Sequence, residues 1–374
     1  MRSSSQPTQP APALLAAMLV FTAANAIISF SAFWASRNTV AEPPAAGTGT
    51  STASTAAARS LWEAYDAHLA EAKYVDLTHA IEPGMPLWDG FSQPKFGAAV
   101  ARVATPGFIA EGATYGYAAQ GFVAGAVSLA TDQIGTQLDP PASSLESHAA
   151  HWNELGATIS DLPPTVTLRP LVVVDISRKV AAEPGYTASV ADVLAWEAEH
   201  GRVPAGAAVL FRSDWSRRWG EYLVEGKMPA VFPGVGLPAL QFLHQNRSIL
   251  LHGHEPLDTD STPTLEGEAW LMHHNYLQVE GAANLHLVPP AGALLSIGFA
   301  KIKGGAGGLA RLVAVCPPAW PFGVSVREAP AAPLPQQPAP LRRSADGVLR
   351  PRPGAAPTEY CGAGGAPLGC PLPG

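Results

Sequence analysis

The chain has 374 residues, 47% of them hydrophobic and only 14% charged, with 36 glycines, 37 prolines and a formal net charge of -7. Length alone allows one large domain with irregular ends or several small ones. The mildly acidic balance excludes a basic field for phosphate backbones, so the expected partner is a small-molecule substrate and not nucleic acid.

Residues 11–35 are almost wholly apolar or small without one charge, bracketed by Arg2 and Arg37. That length spans a bilayer, which needs about 20 apolar residues. Arg2 and Ala24-Asn25-Ala26 equally fit the n-region and cleavage site of a secretory signal, and the Ser-rich, acid-free start fits organelle import. Residues 1–40 are therefore expected to be a signal peptide or a membrane anchor. The domain is expected outside the cytosol, secreted or tethered to a membrane, with import into an organelle as the third reading. Residues 41–60 are a Pro/Gly/Ser/Thr/Ala linker with too little apolar bulk to fold.

Residues 61–318 carry the fold. Leu61, Trp62, Tyr65 and Leu69 fall at helical spacing within 61–72. Strand-like apolar runs follow at 74–77, 127–131, 171–176, 208–211, 249–251, 293–299 and 309–315, several of them continuous enough for burial on both faces. One clear helix interrupts them: Ser189 and Asp192 form a capping-box pair, Val190, Val193, Leu194 and Trp196 make its apolar face, and Gly201 with Pro204 stops it. Strands outnumber helices, which predicts an α/β domain with a mixed sheet closing toward a barrel and helices packed outside. Residues 319–374 are a Pro/Gly/Ala-rich tail expected to be disordered.

Cysteine adds little. No Cys-x-x-Cys spacing occurs among the three, so a structural zinc or dithiol motif is not expected. Cys316 ends an apolar run and reads as core, while Cys361 and Cys370 in the tail are left open between a disulfide and two free thiols.

The chemistry concentrates at Asp132-Gln133-Ile134-Gly135-Thr136-Gln137-Leu138-Asp139-Pro140-Pro141, read as a rigid turn after a strand. In an extended stretch Gln137 and Asp139 would project to one face, where an acid beside amides can hold a divalent cation through oxygen. The segment resembles the H-x-G-T-H-x-D-x-P-x-H motif of the family of kynurenine formamidases, isatin hydrolases and cyclases. Further matches follow in order: Val75-Asp76-Leu77-Thr78-His79, Pro83-Gly84-Met85-Pro86-Leu87-Trp88, Leu210-Phe211-Arg212-Ser213-Asp214-Trp215, Phe232-Pro233-Gly234, Glu255-Pro256-Leu257-Asp258-Thr259-Asp260, and the stretch from Glu280 to Arg311.

The resemblance implies a single swivelling β/β/α-like domain. It also implies a divalent metal ion, manganese or zinc, held at Gln133, Gln137, Asp139, Glu268 and Glu280, with His273 and His274 near enough in sequence to supply nitrogen. Two motif histidines are glutamine here and a third position is glutamate, which favours harder ions over zinc. The motif's last histidine falls on Ser143, as though residues 143–150 were inserted, so the general acid/base is expected at His151 in preference to His148. Trp88 resembles an aromatic wall for a planar substrate.

The activity implied is arylformamidase-like hydrolysis of a carbon–nitrogen bond other than a peptide bond, represented by N-formylkynurenine to kynurenine in tryptophan catabolism, by a homodimer. The alternatives are a catalytically silent binding protein on the same fold and a lactone or lactam cyclase-hydrolase. From residue type alone, His79 reads as a hydrogen-bonded core histidine, His252 and His254 as structural or substrate-lining, Asp258 and Asp260 as a turn near the cleft, and Trp215 and Trp219 as packing.

Overall fold

The computed structural model describes residues 60–121, 123–141, 156–223 and 231–327, and the backbone of 341–343 and 349–351. The N-terminal apolar segment, the expected insertion 143–150, His148, His151, Cys361 and Cys370 lie outside these residues. No helix among the described residues is long and apolar enough to cross a membrane.

Among the described residues, twelve strands build the domain: β1 Lys73–Asp76, β2 Lys95–Ala98, β3 Gly125–Ser128, β4 Gln137–Asp139, β5 Leu168–Asp175, β6 Thr187–Ala188, β7 Ala208–Arg212, β8 Gly234–Val235, β9 Leu251–His254, β10 Leu277–Glu280, β11 Ala293–Phe299 and β12 Gly308–Cys316. Seven of them close a ring in the order β12, β11, β5, β7, β9, β10, β4 and back to β12. The run β5, β7, β9, β10 is parallel and the remaining contacts are antiparallel. Closure depends on β12, whose start pairs β4 through Gly308 and Leu309 while its end pairs β1 through residues 313–316. The mixed sheet closing into a barrel is thus the architecture the strand runs predicted.

Period-two alternation sorts the side chains. Leu138, Leu171, Val173, Leu210, Leu251, Leu277, Val279, Leu295 and Leu312 fill one core cluster inside the ring. Their neighbours Val172, Val174, Val209 and Phe211 join a second cluster with Val193, Trp196, Leu240, Leu243, Leu271 and Met272. That second layer comes from the helix Val190–His200, the helix Leu237–Gln241 with its π turn Phe242–Asn246, and the helix Glu266–His273. Burial on both faces explains why residues 171–174 of β5 and 208–211 of β7 are continuously apolar.

The expected helix at 190–200 has its capping box, Asp192 accepting the Ser189 N–H at 2.8 Å, and ends at Gly201 with φ 87°. Trp196 Nε1 donates to the Pro290 carbonyl at 3.1 Å and ties the helix to the sheet. The N-terminal helix forms over Leu61–Ala64 and continues as a π turn to Leu69, and Cys316 is buried in the core.

Three expectations are corrected. The strand expected over 127–131 forms earlier, as β3 Gly125–Ser128, which is exposed and pairs β2 in a two-stranded ribbon, not the barrel. The 249–251 strand is shifted to Leu251–His254, because residues 252 and 254 are polar and the apolar run ends before the pairing does. The segment after Gly135 is not only a turn, since Gln137–Asp139 is a strand of the barrel wall.

Candidate active site on the outer face of the barrel

Register places the polar residues. In β10, Leu277 and Val279 point inward, so Gln278 and Glu280 point outward. Gln278 lies opposite Asp139 on β4 and beside His252 on β9, and Glu280 lies opposite Gln137. The same alternation puts His254 outward, beyond Gly253. Two polar rungs therefore cross the outer face of three adjacent strands, where β5 and β7 carry only apolar side chains. Helix Glu266–His273 and the loop before it bring Glu268 and Asp258 over these rungs, and oxygens of Asp258, Glu268 and Glu280 come within 4.8 Å of one another.

Amides connect the carboxylates. Gln137 Nε2 donates to Glu280 Oε2 at 2.7 Å, and Gln278 Nε2 donates to Glu280 Oε1 at 2.9 Å and to Asp139 Oδ2 at 3.2 Å. The Thr259 hydroxyl donates to Gln278 Oε1 at 2.6 Å, which fixes the orientation of that amide. His254 Nδ1 sits 3.0 Å from the Pro256 carbonyl, so its proton belongs there, leaving Nε2 3.2 Å from Thr259 Oγ1 and 3.9 Å from Glu280 Oε1.

Burial pushes the Asp139 and Asp258 carboxyls up to about 7, and neighbouring acids add to it. It raises Glu268 and Glu280 well above the ordinary carboxylate range, with the charges of Asp139 and Asp258 raising both further. His254 is lowered by burial to about 4 and is neutral at pH 7. Asp139 Oδ1, Gln137 Oε1 and Glu268 Oε2 are buried without a hydrogen-bond partner. Leaving such atoms unsatisfied costs roughly 1–3 kcal/mol each. Orphaned acceptor oxygens beside crowded acids fit a divalent cation, which supplies what those atoms lack.

The surroundings hold this arrangement in place. Thr136 Oγ1 donates to the Gly281 carbonyl at 2.6 Å and accepts the His79 N–H at 2.9 Å. Gly281 has φ 61°, and a Cβ there would stand 2.4 Å from the Gly135 carbonyl oxygen. Gly281→Ala is accordingly expected to destabilise the fold by about 2–4 kcal/mol, combining left-handed strain with overpacking. A chemical-denaturation midpoint equal to the wild type's would refute it.

Asp260 accepts the Gly267 N–H at 2.9 Å and so seats the helix that carries Glu268. Glu255, fully buried, accepts from the Ser213 N–H and hydroxyl, the Trp215 N–H and the Ser216 hydroxyl at 2.7–3.0 Å. That clamp delivers Trp215 and Trp219 to a third apolar cluster with Met85, Leu87, Ile134 and Phe232 beside the motif.

Of the expected ligands, Gln137, Asp139, Glu268 and Glu280 come together in this cluster, whereas the Gln133 amide leans toward the Ala306 carbonyl at 3.5 Å. Trp88 is 46% exposed, packs edge-on to Phe91, and sits in the loop that also carries Met85 and Leu87. His273 and His274 are exposed at the helix end, His274 stacked on Trp270, and do not replace a nitrogen ligand. His79 is stacked on Trp219 at 3.7 Å, and its buried Nε2 has no hydrogen-bond partner, so stacking holds it in place of the expected hydrogen bond.

Asp258 belongs to the acidic cluster as well as to its turn. Sequence reasoning missed Gln278, Thr259, Glu255 and this role of Asp258. The Leu277-Gln278-Val279-Glu280 alternation was the available signal for the first of these.

The family model Cyclase ("putative cyclase") matches residues 75–261, half of the chain. The chain is 30% identical over 161 residues to an isatin hydrolase from Roseibium aggregatum, a match covering 41% of this chain and 61% of that protein, less than two thirds of the relative's length. Among solved structures, isatin hydrolase A from Ralstonia solanacearum aligns with 26% identity and TM-score 0.57 over 72% of this chain and 100% of that one. Isatin hydrolase A from Labrenzia aggregata, bound to benzyl benzoate, aligns with 25% identity and TM-score 0.56 over 69% of this chain and 98% of that one. The motif, the barrel that carries it and the match of the family model agree, and the chain belongs to the cyclase family.

Proposed function

We propose that the protein is a metal-dependent hydrolase that opens an amide carbon–nitrogen bond in a small aromatic substrate, with an isatin-like lactam as its first candidate. The observation that carries this is the set of orphaned buried oxygens on Asp139, Gln137 and Glu268 beside Glu280, in a chain whose relatives are isatin hydrolases. Asp139, Glu268 and Glu280, with Gln137 Oε1, would hold the cation. When bound, such an ion supplies an acidified water and polarises a carbonyl.

The chain's own groups do the rest. Gln278 and Gln137 keep the Glu280 and Asp139 carboxylates aimed by donating to Glu280 Oε1 and Oε2 and to Asp139 Oδ2, each of which keeps a further lone pair. His151 is the residue to accept the proton of the attacking water and return it to the leaving nitrogen. Trp88, with its exposed ring, is the residue to stack on a planar substrate.

Incubation of the full chain with isatin and with N-formylkynurenine, with and without a chelator, tests the reading. Chelator-sensitive opening of isatin is expected. A preference for N-formylkynurenine would make the enzyme a kynurenine formamidase. Binding without turnover of either, at full metal loading, would move the assignment to a silent binding protein on this fold.

A further inference from the structure

We propose that the apolar face of the β2–β3 ribbon is the docking surface for a second copy of this chain, and that the two joined ribbons steady the segments lining the site.

A two-stranded ribbon alone in water is marginally stable and needs a further strand or a packing layer. Among the described residues, β2 and β3 pair each other and no other strand. All four residues of β3 are exposed, as are Lys95 and Phe96 of β2. The register sets Phe96 opposite Val127, so both side chains stand on one face. Val100, four residues beyond Phe96 and bridged to Thr114, continues that face. These three are 42–59% exposed, while Lys95 and Ser128 fall on the opposite side. An exposed apolar face on an under-packed element marks an interaction surface.

The charges choose the occupant. Residues 96–128 carry only Arg102 and Glu111 as charged side chains, in a chain whose net charge is -7. Two copies repel over most of their surfaces, and this near-neutral stretch is where they meet at least cost. Ala101 N–H donates to the Ala113 carbonyl and Gly112 N–H to the Ala101 carbonyl, both at 2.9 Å, which puts Arg102 and Glu111 on opposite arms of the ribbon's tip. Neither has an ion-pair partner among the described residues. In a two-fold pair, residue i meets j and j meets i, so each Arg102 can face Glu111 of the second copy. A lipid surface would instead want a face rich in Lys and Arg.

Both ends of the ribbon run into the site. Gln93, two residues before β2, donates to the Met85 carbonyl at 2.9 Å and accepts the Gly84 N–H at 3.0 Å, which ties the ribbon to the loop of Leu87 and Trp88. β3 leads through Leu129, packed on the third apolar cluster, into the motif at Gln137 and Asp139. A copy seated on the ribbon therefore restrains the two segments that flank it.

Sedimentation velocity of the full chain over a range of concentrations tests the surface. A reversible dimer is expected, converted to monomer by Val127→Asp. Arg102→Glu and Glu111→Arg are each expected to weaken it about tenfold, and the double swap R102E/E111R to restore it. Circular-dichroism melts show that each variant is folded. A monomeric wild type, or a dimer equally tight in Val127→Asp and in both single swaps, would overturn the proposal. A double swap no tighter than the single ones would overturn the Arg102–Glu111 contact. Amide hydrogen exchange over residues 84–94 and 129–136 is expected to be faster in Val127→Asp than in the wild-type dimer, and equal rates would overturn the link to the site. None of these readouts depends on turnover, so they stand or fall apart from the hydrolase reading.

Discussion

Glu268→Gln is expected to raise the melting temperature of the metal-free protein while lowering cation affinity and hydrolysis by at least about 100-fold, the order found when a ligand or its support is lost. Glu268 Oε2 is buried with no partner, and burial plus the charges of Asp258, Asp139 and Asp260 hold the carboxyl far above its ordinary range. Glutamine keeps the shape and removes the charge, relieving repulsion that exists only because the site must receive a cation. Relief of such a functional compromise is commonly worth about 0.5–2 kcal/mol. Thermal melts with and without manganese check both halves. A variant that melts lower without metal, and binds manganese as tightly as the wild type, would show that Glu268 is a structural residue.

The metal-free protein should lose stability as pH rises from about 4 to about 7, opposite to the usual behaviour of paired carboxylates. Asp139 and Asp258 are raised to about 7 in the folded chain from ordinary values of 3.8, so across this window the folded state binds more protons than the unfolded one. Stability then falls with pH, at about 1.4 kcal/mol per pH unit for each proton the unfolded state has released and the folded state retains. Glu268 and Glu280, raised by burial and by the charges of neighbouring acids, add to the fall.

A bound cation takes the place of those protons, so added manganese should stabilise more at pH 8 than at pH 5. Melting temperatures of chelated protein across that range give the slope. A flat or rising curve without metal would mean that these acids are solvated and do not crowd one another.

Much of the barrel was legible because its inner and helix-covered faces are apolar. Leu171, Val172, Val173 and Val174 in β5, and Ala208 to Phe211 in β7, are buried on both sides and announce themselves by hydrophobicity. The strands that carry the chemistry were hidden for the same physical reason. In β4, β9 and β10 the outer positions hold Gln137, Asp139, His252, His254, Gln278 and Glu280, so no continuous apolar run marks them.

The motif and the resemblance led to Gln137, Asp139, Glu268 and Glu280 without revealing that they lie on rungs of one sheet face. Register, which decides that Gln278 meets Asp139, is a property of long-range pairing and has no local signature. Asp258 escaped because its neighbours, Thr259 and Asp260, read as a turn, which they also are.

The most direct measurement is elemental analysis of the purified full chain after incubation with manganese, alongside Asp139→Ala, with isatin opening assayed on both. Asp139 stands 3.2 Å from the Gln278 amide on one side and offers an unpaired oxygen on the other, so its removal takes away a ligand and leaves the barrel wall intact. The account predicts stoichiometric metal and turnover in the wild type and loss of both in the folded variant. Metal retained in full by Asp139→Ala, or isatin opened by a wild-type protein that holds none, would contradict it.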